Sequence, residues 1–263
     1  MKRLAYILWL CLLAPAPARA FDHGGWDSLL KAHVAALPDS AATRVDYGGM
    51  TRDRARLDAY LQALGAVDEK SFDTWPKAER LAFLINAYNA WTVELILRHW
   101  PGVASIRDLG SLLRTPWQKR FIPLLGKMRT LDDIEHGMIR APGAYDEPRI
   151  HFAVNCASIG CPPLRREAYT GARLDVQLEE ATRAFLADRA YNRLVGDRLY
   201  VSRLFKWYRE DFARGWRGYD SLAAFLAGYG DALGLDKAAL GALRAGTLEI
   251  AFLDYDWQLN GIP

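Results

Sequence analysis

Residues 81–97, Leu-Ala-Phe-Leu-Ile-Asn-Ala-Tyr-Asn-Ala-Trp-Thr-Val-Glu-Leu-Ile-Leu, are apolar nearly all the way round a helical wheel, and a helix without a polar face must be covered on most of its sides. Pro76 stands where a first turn tolerates proline and Pro101 lies just past the end, so the spacing predicts a helix over 76–99. A bilayer needs about 20 residues free of polar groups, whereas this run of 17 holds Asn86, Asn89 and Glu94. It is read as a buried central helix. Asn86 and Asn89 are three apart and share a face, and each buried amide needs partners for donor and acceptor alike. They form either a polar clamp on a neighbouring loop or part of a site.

Around this helix the pattern is mixed. Amphipathic helices are expected at 27–36, 52–64, 131–140, 175–190, 202–212, 220–229 and 236–244, hairpins at 120–129 and 194–201, and single strands at 149–155 and 247–254. Helices predominate and strands come in hairpins or singly, which predicts an α+β fold: a helix-rich single domain around the central helix, with a small, mainly antiparallel sheet. No repeat, low-complexity run or linker marks a domain boundary within 21–263.

Residues 1–20 have the form of a signal peptide: Lys2-Arg3, an apolar stretch from Leu4, then Ala18-Arg19-Ala20. The expectation is a mature chain from Phe21, periplasmic or secreted, without stable membrane insertion. The formal charge of +3 belongs to this leader, because its removal takes Lys2, Arg3 and Arg19 from the 34 basic residues and leaves 31 against 31 acidic. A neutral surface gives no electrostatic case for nucleic acid. Cys11 leaves with the leader, so Cys156 and Cys161 remain.

The chemistry concentrates between Glu135 and Pro163. On the 131–140 helix, Leu131, Ile134, Met138 and Ile139 make one stripe with Glu135 in its middle, so a carboxylate is expected to be buried and to need a partner; His136 and Arg140 fall on the opposite side. In His151-Phe-Ala-Val-Asn-Cys-Ala-Ser158, an extended strand would present Cys156 at its end, before a helix N-terminus or a nest of amides that would lower the thiol pKa. His151 would then lie about 16 Å away, leaving His136 as the nearer base and pairing His151 with Glu135. The competing reading is a Cys156–Cys161 disulfide, worth on the order of 2 kcal/mol for so short a loop. The cysteine and histidine spacing fits no closed zinc site, and no metal or cofactor is expected.

Ile85-Asn-Ala-Tyr-Asn-Ala90, Leu131-Asp-Asp-Ile-Glu-His136 with Arg140, His151 through Ser158 with Cys161-Pro162, and Trp207-Tyr208 with Asp211-Phe212 resemble the bacterial branch of the family catalogued as domain of unknown function 547, across roughly residues 75–215. The family carries no settled activity; the cysteine's placement and the helix-plus-sheet make-up suggest papain-like thiol hydrolases by analogy. Two readings follow. One is an exported thiol-dependent hydrolase or acyl transferase acting on an amide or peptide-like substrate, with Cys156 as nucleophile, His136 or His151 as base and Glu135 as orienter, and with Asn86, Tyr88, Asn89, Arg140, Asn155 and Ser158 around the substrate. The other is a non-catalytic periplasmic binding or scaffold module stabilised by a Cys156–Cys161 disulfide, with Trp91, Trp117, Trp207, Tyr208, Trp216 and Trp257 offering binding surface.

Overall fold

Every residue from Leu81 to Leu97 of the central helix is buried, including Asn86, Asn89 and Glu94. Glu94 is paired there, Arg54 and Arg98 each reaching its carboxylate at 2.7 Å, and removing one partner of a buried pair is far costlier than the pair itself. The computed structural model describes residues 21–263 apart from Asp39, Leu112 and Pro263; the leader reading and Cys11 lie outside the described residues.

In chain order the α-helices are α1 (Gly24–His33), α2 (Tyr47–Arg52), α3 (Arg54–Ala66), α4 (Glu69–Asp73), the central α5 (Lys77–Leu97), α6 (Leu131–Ile134), α7 (Leu174–Ala187), α8 (Leu204–Trp207), α9 (Leu222–Gly228) and α10 (Lys237–Arg244). The strands are β1 (Val34–Ala36), β2 (Thr43–Val45), β3 (Ile122–Leu124), β4 (Lys127–Arg129), β5 (Arg193–Val195), β6 (Arg198–Val201) and β7 (Glu249–Phe252). β1–β2 and β3–β4 are antiparallel ribbons, and β5–β6–β7 is a three-stranded sheet with β7 parallel to β6. The fold is the helix-rich α+β class expected, with β7 returning from far along the chain to lie parallel to β6. Among the described residues no helix is long and apolar enough to cross a membrane.

Two apolar clusters organise the molecule. The first surrounds α5 and takes in Trp26, Leu57, Tyr88 and Ile150; the second gathers Phe152, Phe185, Phe205, Phe212 and Phe225 under α7–α9 and the three-stranded sheet. Residues 149–155 are not a strand. Pro148–Phe152 is a 3-10 turn, opened by the Glu147 carboxylate accepting the Arg149 N–H at 3.1 Å. Ile150 packs into one core and Phe152 into the other, while His151 between them and Ala153 after them are buried too. The alternation that imitates a strand is thus a single turn serving two cores.

The 131–140 helix also departs from a regular wheel. Thr130 caps α6 with a reciprocal Asp133 contact, and the chain then widens into a π-helical turn, Glu135–Ile139, closed by the Arg140 N–H on the Glu135 carbonyl at 2.8 Å. A π turn advances each residue by a smaller angle than an α turn. His136 and Arg140 therefore come round toward Glu135 instead of facing away. The 202–212 helix is split into α8 and a 3-10 turn, Arg209–Phe212.

Candidate functional site

A cleft of about 270 Å³ opens where the two cores meet. α5 supplies Tyr88, the π turn Glu135 and His136, the 3-10 turn His151, the following loop Cys156 and Cys161, α8 Trp207 with Tyr208 just after it, and the chain beyond β7 Tyr255 and Trp257.

No helix follows Cys156. Ala157 takes a left-handed conformation, φ 59°, held by its N–H on the Asn155 side-chain oxygen at 3.0 Å and by its carbonyl, which accepts from the Asn260 N–H at 3.1 Å. Such a conformation costs a non-glycine residue roughly 1 kcal/mol or more and persists where neighbours fix it. The amide of Cys156 donates to the Cys161 sulfur at 3.0 Å, so the expected nest of free amides is already occupied. Cys156 and Cys161 stand as two adjacent, unbonded thiols.

The Cys156 sulfur meets Tyr255 Oη at 3.0 Å and Ser158 Oγ at 3.1 Å. The hydrogen bond from Cys161 and those from Ser158 and Tyr255 outweigh burial and the nearby Glu135 charge, and they hold the thiol below its ordinary value. Burial, and then the Cys156 thiol, push Cys161 well up. Cys156 is the sulfur set to ionise and is partly exposed, whereas Cys161 is buried.

The two histidines of the cleft are distinguished by their partners. His151 Nε2 lies 2.7 Å from Asp211 Oδ2; a carboxylate only accepts, so Nε2 carries the proton. Nδ1 is buried with no hydrogen-bond partner. The ring is pinned by stacking on Tyr208, 4.0 Å between centroids. Burial lowers the His151 pKa against the opposing pull of Asp211, so the ring is neutral with a free lone pair on Nδ1. In His136 the situation is reversed: Arg140, a donor only, sits 2.6 Å from Nδ1 and takes that lone pair. Asp211 is fully buried, and burial alone would raise its carboxyl; the hydrogen bonds and charges of His151 and Arg140 win and hold it at about 2.

The expected pairing of His151 with Glu135 is corrected by this geometry, since Asp211 holds the imidazole. Glu135 is buried as the helical stripe requires, yet its Oε1 has no hydrogen-bond partner. Arg140 joins Asp211 to His136 from behind the cleft wall. The asparagines hold backbone. Asn86 clamps both polar groups of Tyr169, at 2.7 and 3.0 Å; Asn89 takes the Ala153 carbonyl at 2.9 Å and the Asn155 N–H at 2.8 Å; Asn155 ties Ala157 and the Pro162 carbonyl. Asn89 and Asn155 thus position Cys156, while Asn86 acts one loop away. Of the remaining expected residues, Tyr88 lines the cleft and Ser158 touches the thiol.

Asp211 and Tyr255 are the residues that reading for roles misses. Asp211 sits inside a recurring motif but lies 60 positions from its histidine, and Tyr255, 99 positions from its cysteine, follows a strand in a segment with no period of its own. Local pattern carries no signal over such separations.

A polarised thiol and a carboxylate-held imidazole line one aromatic cleft between two cores. Residues 72–186 match the model of the family described as "Protein of unknown function, DUF547". The match includes Glu135, His151 and Cys156 and ends before Trp207, Tyr208 and Asp211. No curated protein and no solved structure matches the chain.

Proposed function

We propose that the protein is an exported thiol-dependent hydrolase or acyl transferase acting on an amide or peptide-like bond, with Cys156 as nucleophile, His151 as general base and Asp211 as the residue that orients the imidazole. The observation that carries this reading is the His151 ring, with Nε2 tied to Asp211 and Nδ1 unpartnered in the wall of the cleft that holds Cys156. His136 is the weaker base because Arg140 occupies its accepting nitrogen. Export rests on the leader-like residues 1–20.

The Cys156 proton passes to His151 Nδ1, and the thiolate attacks the acyl carbon. The imidazolium gives that proton to the leaving nitrogen as the carbon–nitrogen bond breaks. Water, or a second nucleophile in a transferase, then opens the thioester while His151 takes its proton, and the thiol is restored. With the amides of Cys156 and Ala157 already donating, the developing oxyanion would draw on side-chain donors of the cleft; Gln118, whose Oε1 accepts the Thr115 N–H, is among the lining residues.

Iodoacetamide under non-reducing conditions tests the reading. Cys156 should alkylate faster than a free cysteine at neutral pH, and His151→Ala or Asp211→Asn should slow it by about tenfold or more. A rate untouched by both substitutions removes the catalytic pair. The scaffold reading draws on the closeness of the Cys161 sulfur to the Cys156 amide: it predicts a quantitative Cys156–Cys161 bond in untreated protein by mass spectrometry and no labelling until reductant is added.

A further inference from the structure

Glu135 is a buried carboxylate of the cleft that the proposed chemistry leaves without work. It is 4 % exposed, lines the cleft, and has an oxygen with no hydrogen-bond partner. His136 Nδ1, 3.9 Å from that oxygen, already accepts from Arg140 and has no proton to offer. The Tyr208 hydroxyl hydrogen-bonds the Glu135 carboxylate but leaves Oε1 without a donor, and a carboxylate oxygen left vacant in so dry a position is costly unless something cationic completes it.

The surroundings say what would. Asp132, one turn earlier, puts a second carboxylate on the same lining, and among the described residues neither a lysine nor an arginine lines the cleft. Two guanidinium groups that touch residues of the lining are committed: Arg140 to Asp211, His136 and the face of Tyr208, and Arg107 to the face of Trp257 at 5.3 Å. The walls are Tyr88, Trp117, Trp207, Tyr208, Tyr255 and Trp257. Aromatic faces attract cations, most strongly where water is excluded.

We infer that this end of the cleft is a recognition subsite for a primary ammonium group, so that the substrate carries a free amine close to the acyl group presented to Cys156. An ammonium supplies N–H donors for the vacant Glu135 oxygen, which a quaternary ammonium lacks, and it is compact enough for a cavity below the usual range of about 300–1,000 Å³ for small-molecule sites. The inference rests on the reading of this cleft as the substrate site, and it deepens that reading by naming a substrate class.

The test is direct binding to full-length mature protein bearing Cys156→Ala, which keeps the cleft and removes the reaction. Cadaverine is the cationic probe and 1,5-pentanediol its neutral counterpart, followed by tryptophan fluorescence from the cleft walls and by calorimetry. Cadaverine should bind saturably, pentanediol and tetramethylammonium should not, and Glu135→Gln should weaken cadaverine at least tenfold. Asp132→Asn, at the more exposed carboxylate, should weaken it several-fold and serves if Glu135→Gln does not fold. Absent cadaverine binding, binding shared equally with pentanediol, or affinity unchanged in both variants overturns the ammonium subsite. Alkylation of Cys156 stands or falls separately, so failure of the thiol chemistry and failure of the subsite are told apart.

Discussion

Asp211 collects three partners: Arg140 Nε and His151 Nε2 on one oxygen and Arg214 at 2.8 Å on the other. Its carboxyl is held at about 2 against roughly 3.9 in an unfolded chain, so its contribution to stability is present above about pH 4 and is lost as pH falls toward 2. His151 acts in a higher window. Its folded pKa is depressed, so below about pH 6.5 the unfolded chain binds a proton that the folded one refuses, and stability falls as pH falls. His23, buried against Tyr60 and lowered to about 4, titrates in the same sense. The expected result is a melting temperature that drops between pH 7 and pH 5, at up to about 1.4 kcal/mol per pH unit for each histidine, with a shallower slope in His151→Gln and a residual slope from His23. Thermal scans at several pH values check this, and a slope identical in wild type and variant would place the acid sensitivity elsewhere.

At the scale of elements, α5 does two jobs with one residue type. Asn86 and Asn89 both bind the two polar groups of a passing backbone, but only Asn89 holds the loop that carries Cys156. Asn89→Ala would leave the Ala153 carbonyl and the Asn155 N–H buried and unpaired, at about 2–4 kcal/mol for the two, and should also change the rate at which Cys156 alkylates. Asn86→Ala should cost a similar amount in denaturant unfolding and leave that rate alone. The all-round apolar run makes α5 legible from the sequence, as do the capping box at Thr130 and the hairpin at Leu125-Gly126, whose positive φ values of 52° and 72° suit a tight turn. The turn carrying His151 and the π turn carrying Glu135 are hidden, because periodicity assumes one repeat per element and each of these obeys two cores or two helical pitches at once. Burial of Glu135 survives the change of pitch; the direction of His136 does not.

For the whole molecule, the site depends on a strap. After β7 has joined the three-stranded sheet of the second core, residues 254–262 cross to the first: the Gly160 N–H reaches the Asp256 carbonyl at 2.9 Å, the Ile159 N–H the Gln258 carbonyl at 2.8 Å, Leu259 binds Ala104 at 2.8 Å, and the Asn260 side chain takes the Tyr47 hydroxyl at 2.7 Å. Tyr255 is delivered to Cys156 by this crossing, which is why no local pattern announces it. The closest approach is at Gly160, where a Cβ would stand 2.9 Å from the Asp256 nitrogen and 3.1 Å from its carbonyl oxygen. The strap's own backbone stands there, with the Tyr255 ring at 3.1 Å, so Gly160→Ala must lift the strap, and overpacking of this kind costs about 1–3 kcal/mol. Two effects on Cys156 then oppose each other: the sulfur becomes more accessible, and it loses the Tyr255 hydrogen bond that helps hold its pKa down. A single alkylation rate would confuse them, whereas the pH midpoint of alkylation reports the pKa alone. That midpoint should move upward in Gly160→Ala and by a comparable amount in Tyr255→Phe, where the strap stays down and only the hydroxyl is missing; an unmoved midpoint in Gly160→Ala, despite a lowered melting temperature, would mean that Tyr255 keeps its place on the thiol without the strap.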